Sequence, residues 1–276
     1  MKILHPTDFS ATAEKAGVLA ADLMERLGAH LHIVHVQERF EDAGANPMVR
    51  VQMEQLSPEM LDRLEQQRSQ ETKRLRERLD HLAPAGATVE LIWGTPLPEL
   101  LAIAAEYDLI VMGAHGASRF DQVFLGGVAG RLVRRSPVPV LTVRDEATAT
   151  QVGRIMVATD FGPAAKEALR FSKRLAEHGI RLVVAHVLGR DGGTDTRPAV
   201  EQLEAFAAGV PARHVVRAGS AVKELPRIAD EVAADVIAIG VRHHSSAVGL
   251  LLGSRADSLL RSSPVPVLSV PYLQPD

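Results

Sequence analysis

Glycines in the first half of the chain are spaced as a phosphate-binding loop needs them. Gly113-Ala114-His115-Gly116 is followed by nine residues and then by Gly126-Gly127, which opens an amphipathic run. Glycine lets backbone N–H groups approach a ligand with no Cβ in the way. A helix start adds unpaired N–H donors and the positive end of the helix dipole. Together these suit the phosphate chain of a nucleotide. The second half carries a near copy, Gly240-Val241-Arg242-His243, nine residues, then Gly253-Ser254. The departures are complementary. Gly127 lacks the hydroxyl that Ser254 offers, and His243 stands where the first copy has Gly116. A Cβ at 243 hinders backbone approach, while Arg242 and His243 offer side chains to a phosphate instead. Spacing alone fits a flexible, glycine-broken loop as well.

Asp8 and Asp160 stand in two copies of Thr-Asp-Phe, at the ends of strand-like runs. Each is a candidate ligand contact or a cap for the helix that follows. A phosphoacceptor role would call for an adjacent acidic pair, which neither copy shows. Eleven histidines raise the question of a metal. His30, His32 and His35 share one strand, but alternation sends His35 to the opposite face, and no His-Glu-x-x-His spacing occurs. His35 and its counterpart His186 are read as packing and hydrogen-bonding residues. No metal site is expected. Neither a Gly-x-Ser-x-Gly elbow nor a Gly-x-x-x-x-Gly-Lys-Ser/Thr loop is present, so no catalytic residue is nominated. The chain reads as a binding protein, with slow nucleotide hydrolysis as the furthest its chemistry extends.

Composition narrows the partners. The net charge of -3 and 24% charged residues give no basic footprint for nucleic acid or an anionic membrane. The absence of cysteine excludes disulfides, Cys-ligated zinc and a Cys nucleophile. Met1–Ser10 is broken by Pro6 and Asp8 and is no secretory segment. A cytoplasmic location is the expectation.

The elements that position these residues come in two sets. Ile3–Ser10 returns as Ile155–Gly162, Leu31–Val36 as Leu182–Val187, and Leu132–Val143 as Leu259–Val270. The repeat sets domain bounds at 1–147 and 152–276, joined by the short polar stretch Asp145–Gly153. In the first copy, strands are expected near Lys2–Leu4, Leu31–Val36, Val89–Trp93, Leu109–Met112 and Val138–Val143. Helices are expected over Ala11–Leu27 (Ser10 cap, Gly28 stop), Pro58–Leu82, Pro96–Glu106 and Gly127–Arg135. The second copy places strands near Arg154–Ala158, Leu182–Val187, His214–Arg217, Val236–Ile239 and Val265–Val270. Strands alternating with helices imply an α/β fold, a doubly wound parallel sheet of about five strands in each of two Rossmann-like domains. Pro139 puts the fifth strand at a sheet edge. Such edges offer pairing between the two domains, as a pseudo-dimer, or with a second chain, as a homodimer. The insert Glu38–Ala83, absent from the second copy, is either a solvated helix or a cover for the first pocket.

Three features together are similar to the universal stress protein family. They are the glycine spacing, the Pro6-Thr7-Asp8-Phe9-Ser10 turn and the Ser-Pro-Val-Pro-Val-Leu edge strand, and the similarity covers nearly the whole chain, twice. The resemblance implies a role in stress survival or signalling. In ATP-binding members the first-strand Asp region and the end of strand two hold adenosine, and the glycine loop holds phosphates. Carried over, the ATP contacts are Pro6, Thr7, Asp8, Val36, Gly113, Gly116, Gly126 and Gly127, with Mg²⁺ accompanying the phosphates. The second set is Thr159, Asp160, Val187, Gly240, His243, Gly253 and Ser254. Three functions stand at this point: an ATP-binding regulator of the stress response, a scaffold whose motifs no longer bind nucleotide, and a weak ATPase.

Overall fold

The computed structural model describes residues 1–38, 57–115, 127–189, 196–243 and 253–273. The first half runs β1 (Lys2–Pro6), α1 (Ala11–Leu27), β2 (His30–Gln37), α2 (Pro58–Leu82), β3 (Thr88–Trp93), α3 (Pro96–Ala104), β4 (Leu109–Gly113), α4 (Gly127–Arg135) and β5 (Val140–Val143). The second runs β6 (Arg154–Thr159), α5 (Pro163–Ala176), β7 (Arg181–Leu188), α6 (Arg197–Phe206), β8 (Ala212–Ala218), α7 (Ala221–Glu231), β9 (Val236–His243), α8 (Ser254–Ser262) and β10 (Val267–Leu273). Local chemistry sets several ends. Ser10 caps α1 by accepting from the Ala13 N–H, and Gly28 closes it at φ 58° in the left-handed region. Ser57 caps α2 ahead of Pro58.

The strands form one ten-stranded sheet in the order β3-β2-β1-β4-β5-β10-β9-β6-β7-β8. Within each half all pairings are parallel. The halves meet where β5 and β10 pair antiparallel, with Leu141 opposite Leu268. Thr142 Oγ1 donates to the Val267 carbonyl across this seam at 3.2 Å. Of the edge pairings expected, the one within the chain is therefore present, and β3 and β8 are the outermost strands.

Period-two alternation sorts the core by sheet face rather than by half. One cluster joins Ile3, Ile33, Val111 and Leu141 to Ile155, Val157, Val184 and Leu268, beneath Leu19 and Leu23 of α1 and Phe171 and Leu175 of α5. The other joins Leu4, Val34, Ile110 and Val140 to Met156, Val183, Ile237 and Val267, under α3, α4, α7 and α8. Both run through the seam.

Some expected boundaries move. β5 begins at Val140, because Pro137 to Pro139 cannot all join a ladder; the Pro139 carbonyl still accepts from Ile110 N–H at 2.9 Å. α3 ends at Ala104, short of Glu106. The largest change is in β9, which runs on through Gly240-Val241-Arg242-His243, a stretch expected as loop. β10 continues past the seam to Leu273 and supplies the ladder partners, up to His243 opposite Leu273. β4 has no such partner beyond Val143 and stops at Gly113. The join between halves is also tied down. Ala147 and Val152 are buried, and the Val152 N–H donates to Asp22 of α1 at 2.7 Å. α2 is exposed over most of its length and buries Leu79, as the solvated-helix reading expects; its residues do not line the first cleft, and 39–56 lie outside the described residues. Among the described residues no helix is long and apolar enough to cross a membrane.

Candidate nucleotide clefts

In each half the connections from β1 and β4, or β6 and β9, leave toward opposite faces. A crevice opens there at the carboxyl ends of the strands, where doubly wound sheets bind ligands. Beneath the first crevice lies His5, wholly buried, whose Nδ1–H donates to the Val111 carbonyl at 2.8 Å and ties β1 to β4. Burial pushes its pKa below the ordinary value of 6.5, against the opposing pull of the Val111 bond and Asp8.

The turns after β1 and β6 are built alike. Thr7 Oγ1 accepts from Phe9 N–H and Asp8 Oδ1 from Ser10 N–H, at 3.1 and 3.0 Å. Thr159 and Asp160 repeat this with Phe161 and Gly162 at 2.8 and 2.9 Å. These are side-chain turns that fix the loop. They hold Phe9 and Phe161 at φ 61° and 63°, a conformation bulky residues seldom adopt. Each Phe packs on the imidazole at the end of the second strand, His35 at 4.5 Å and His186 at 4.3 Å. Nδ1–H of His35 and of His186 donates in turn to the Thr7 or Thr159 carbonyl at 2.7 and 2.8 Å. Arg78 of α2 lies over the Phe9 ring at 4.2 Å.

The first cleft has a volume of about 450 Å³. Pro6, Thr7, Asp8, Val36, Gly113 and Gly127 all line it, and Gly116 and Gly126 lie outside the described residues. The second, about 680 Å³, is lined by Thr159, Asp160, Val187, Gly240, Gly253 and Ser254, with His243 ending the strand beside it. Residues the sequence did not single out complete the walls. Leu97, Leu100 and Met112 give the first cleft an apolar side, and Arg131 and His115 a polar one. The amphipathic period of α3 was the available signal for the leucines. His115 is buried with both ring nitrogens unpartnered. In the second cleft Leu225 and Ile239 form the apolar side, and Arg242 and Arg255 are its basic residues.

Geometry adds a packing reason at two of these glycines. Gly113 and Gly240 were read as making room for a ligand, and both line a cleft. A Cβ on Gly113 would also lie 2.9 Å from Thr12 Oγ1 and 3.0 Å from Ala13 N, and on Gly240 2.1 Å from the Ala164 carbonyl. The missing Cβ at both positions lets the first turn of α1 or α5 seat on the strand. Among the described residues, nothing but Arg131, at 3.8 Å from Gly127, lies near where a Cβ on Gly127 or Gly253 would be.

The architecture is thus that of Rossmann-like α/β proteins with an open crevice at each of two switch points. The universal stress protein family profile matches residues 1–144 and again 151–271. The chain belongs to this family, with two such domains in tandem. Universal stress protein Rv2005c of Mycobacterium tuberculosis is 26% identical over 199 residues, spanning 65% of this chain and 67% of that one. A Thermus aquaticus universal stress protein is 31% identical over 147 residues, 51% of this chain and 97% of its own. The crystal structure of a universal stress protein from Archaeoglobus fulgidus superposes with a TM-score of 0.74 at 26% identity, covering 98% of both chains.

Proposed function

We propose that this tandem universal stress protein binds adenine nucleotide, ATP with Mg²⁺ on its phosphates, and acts as a regulator through ligand-dependent association rather than chemistry of its own. The observation that supports this best is the first cleft. It sets an apolar wall (Val36, Leu97, Leu100, Met112) beside polar groups at the Thr7-Asp8 turn and the start of α4. An aromatic base suits the former and phosphates the latter. Pro6, Thr7, Asp8 and Val36 are assigned to adenosine, and Gly113, Gly116, Gly126 and Gly127 to phosphates. The second cleft, with Thr159, Asp160, Val187, Gly240, His243, Gly253 and Ser254, is a second site of the same kind. With β5 and β10 spent on each other, association with another copy would use the outer strands β3 or β8.

The test is to purify the protein natively, denature it, and count the released nucleotide per chain. The emptied protein is then titrated with Mg-ATP beside Val36→Trp and Val187→Trp, each of which fills one cleft. Retained adenine nucleotide, with binding lost cleft by cleft, supports the reading. No retained nucleotide and no binding up to millimolar ATP would refute it and leave an interaction scaffold.

A further inference from the structure

The two clefts differ in charge, and the differences are coordinated. Where the first has His115, Val128 and Glu38, the matching positions of the repeat carry Arg242, Arg255 and Gly189; Arg131 of the first is matched by Ser258. The charged lining residues of the first cleft are Asp8, Glu38 and Arg131, a formal charge of -1. Those of the second are Asp160, Arg242 and Arg255, a formal charge of +1.

The arginines are also placed, not merely present. Extension of β9 to His243 puts Arg242 on a hydrogen-bonded strand opposite Tyr272. Alternation with buried Val241 turns it outward, into the cleft lining. Its Nη2 lies 3.2 Å from where a Cβ on Gly162 would be, so the room for the guanidinium exists because residue 162 has no side chain. The first half has Ser10 at that point and His115 opposite. The exchanges Ser10 to Gly162 and His115 to Arg242 therefore belong together. Arg255 sits in the first turn of α8, beside the free N–H groups of that helix start. Among the described residues neither Arg242 nor Arg255 makes a hydrogen bond or ion pair.

We infer that the second cleft is a polyphosphate site, in which Arg242 and Arg255 together grip a chain of phosphates, and that it discriminates by phosphate number more steeply than the first cleft. Guanidinium forks suit phosphate oxygens. The inference rests on the cleft being a ligand site, but not on the ligand carrying adenine. A nucleoside triphosphate and inorganic tripolyphosphate share the chemistry in question.

The experiment labels the intact chain with 2-azido-AMP, -ADP and -ATP, maps the labelled peptides to each half, and titrates tripolyphosphate calorimetrically. All arms are repeated on Arg242→Gln and Arg255→Gln, with far-ultraviolet circular dichroism and melting as folding controls. The second half should prefer the triphosphate over the monophosphate by about tenfold or more, and each arginine variant should lower that preference by about tenfold. The first half should show a smaller preference. Tripolyphosphate should bind in competition with the triphosphate label at the second half alone. Equal dependence on phosphate number in both halves would overturn the inference and leave nucleotide binding standing. Arginine-dependent tripolyphosphate binding without azido-nucleotide labelling would support it while refuting the adenine reading. Tripolyphosphate binding indifferent to both arginines, or none, would overturn it.

Discussion

Replacing Gly240 by alanine separates two explanations of a motif glycine. If the residue only admits a ligand's phosphates, the change should weaken binding and leave stability alone. The structure requires the opposite order. The new methyl would meet the Ala164 carbonyl carbon and oxygen at 2.1 Å and Ala165 N at 2.6 Å. Ordinary contact between such atoms is about 3.5 Å, so the start of α5 must retreat by roughly 1.4 Å. That start carries buried Ala164, Ala165 and Ala168. Overpacking of this kind costs about 1–3 kcal/mol, and backbone yields less readily than a side-chain tip, which places Gly240→Ala at the upper end. For a chain of this size about 3 kcal/mol is a fall of roughly 5 °C in Tm. Gly253→Ala is the control, since among the described residues nothing lies within contact of its Cβ; as a change at the N-cap of α8 it should cost no more than about 1 kcal/mol. The assay is urea and thermal unfolding of the ligand-free protein. Wild-type stability in Gly240→Ala would refute the packing argument, as would equal losses in the two variants.

Two further outcomes are expected. The depressed pKa of His5 means that the unfolded chain takes up a proton that the folded chain resists. Stability is then full above the ordinary pKa of 6.5 and falls as pH drops below it. Substituting the residue of the matching position, in His5→Val, should flatten unfolding free energy between pH 7 and 5 relative to wild type, and an unchanged slope would count against the assignment. Asp22→Ala removes the acceptor for Val152 N–H and the partner of Arg26. It should cost about 1–3 kcal/mol by urea unfolding, because a largely buried donor loses its acceptor.

The repeat, the strand and helix order and part of the cleft lining were legible in the sequence, because alternation, caps and Thr-Asp-Phe turns are local signals. Thr7, Asp8, Val36 and Gly113 reach the crevice because doubly wound topology gathers the strand ends there. What escaped was set by distant partners. The stretch Gly240 to His243 reads as loop by composition, yet it is strand because β10 runs alongside it. The pressure for glycine at 113 and 240 comes from helices 101 and 76 residues away in sequence, Thr12 and Ala164 being the atoms concerned. The linker looked like a polar join, and only its tertiary setting shows Val152 held by Asp22.

The antiparallel seam between β5 and β10 has a consequence for how the protein responds to its own abundance. Had the same two sheets been carried on separate chains, their pairing would follow mass action and loosen on dilution. Here residues 144–153 bridge them, so each strand sees its partner at an effective concentration set by the tether and not by expression level. The arrangement of the two clefts is thereby the same in a cell holding few copies as in one holding many.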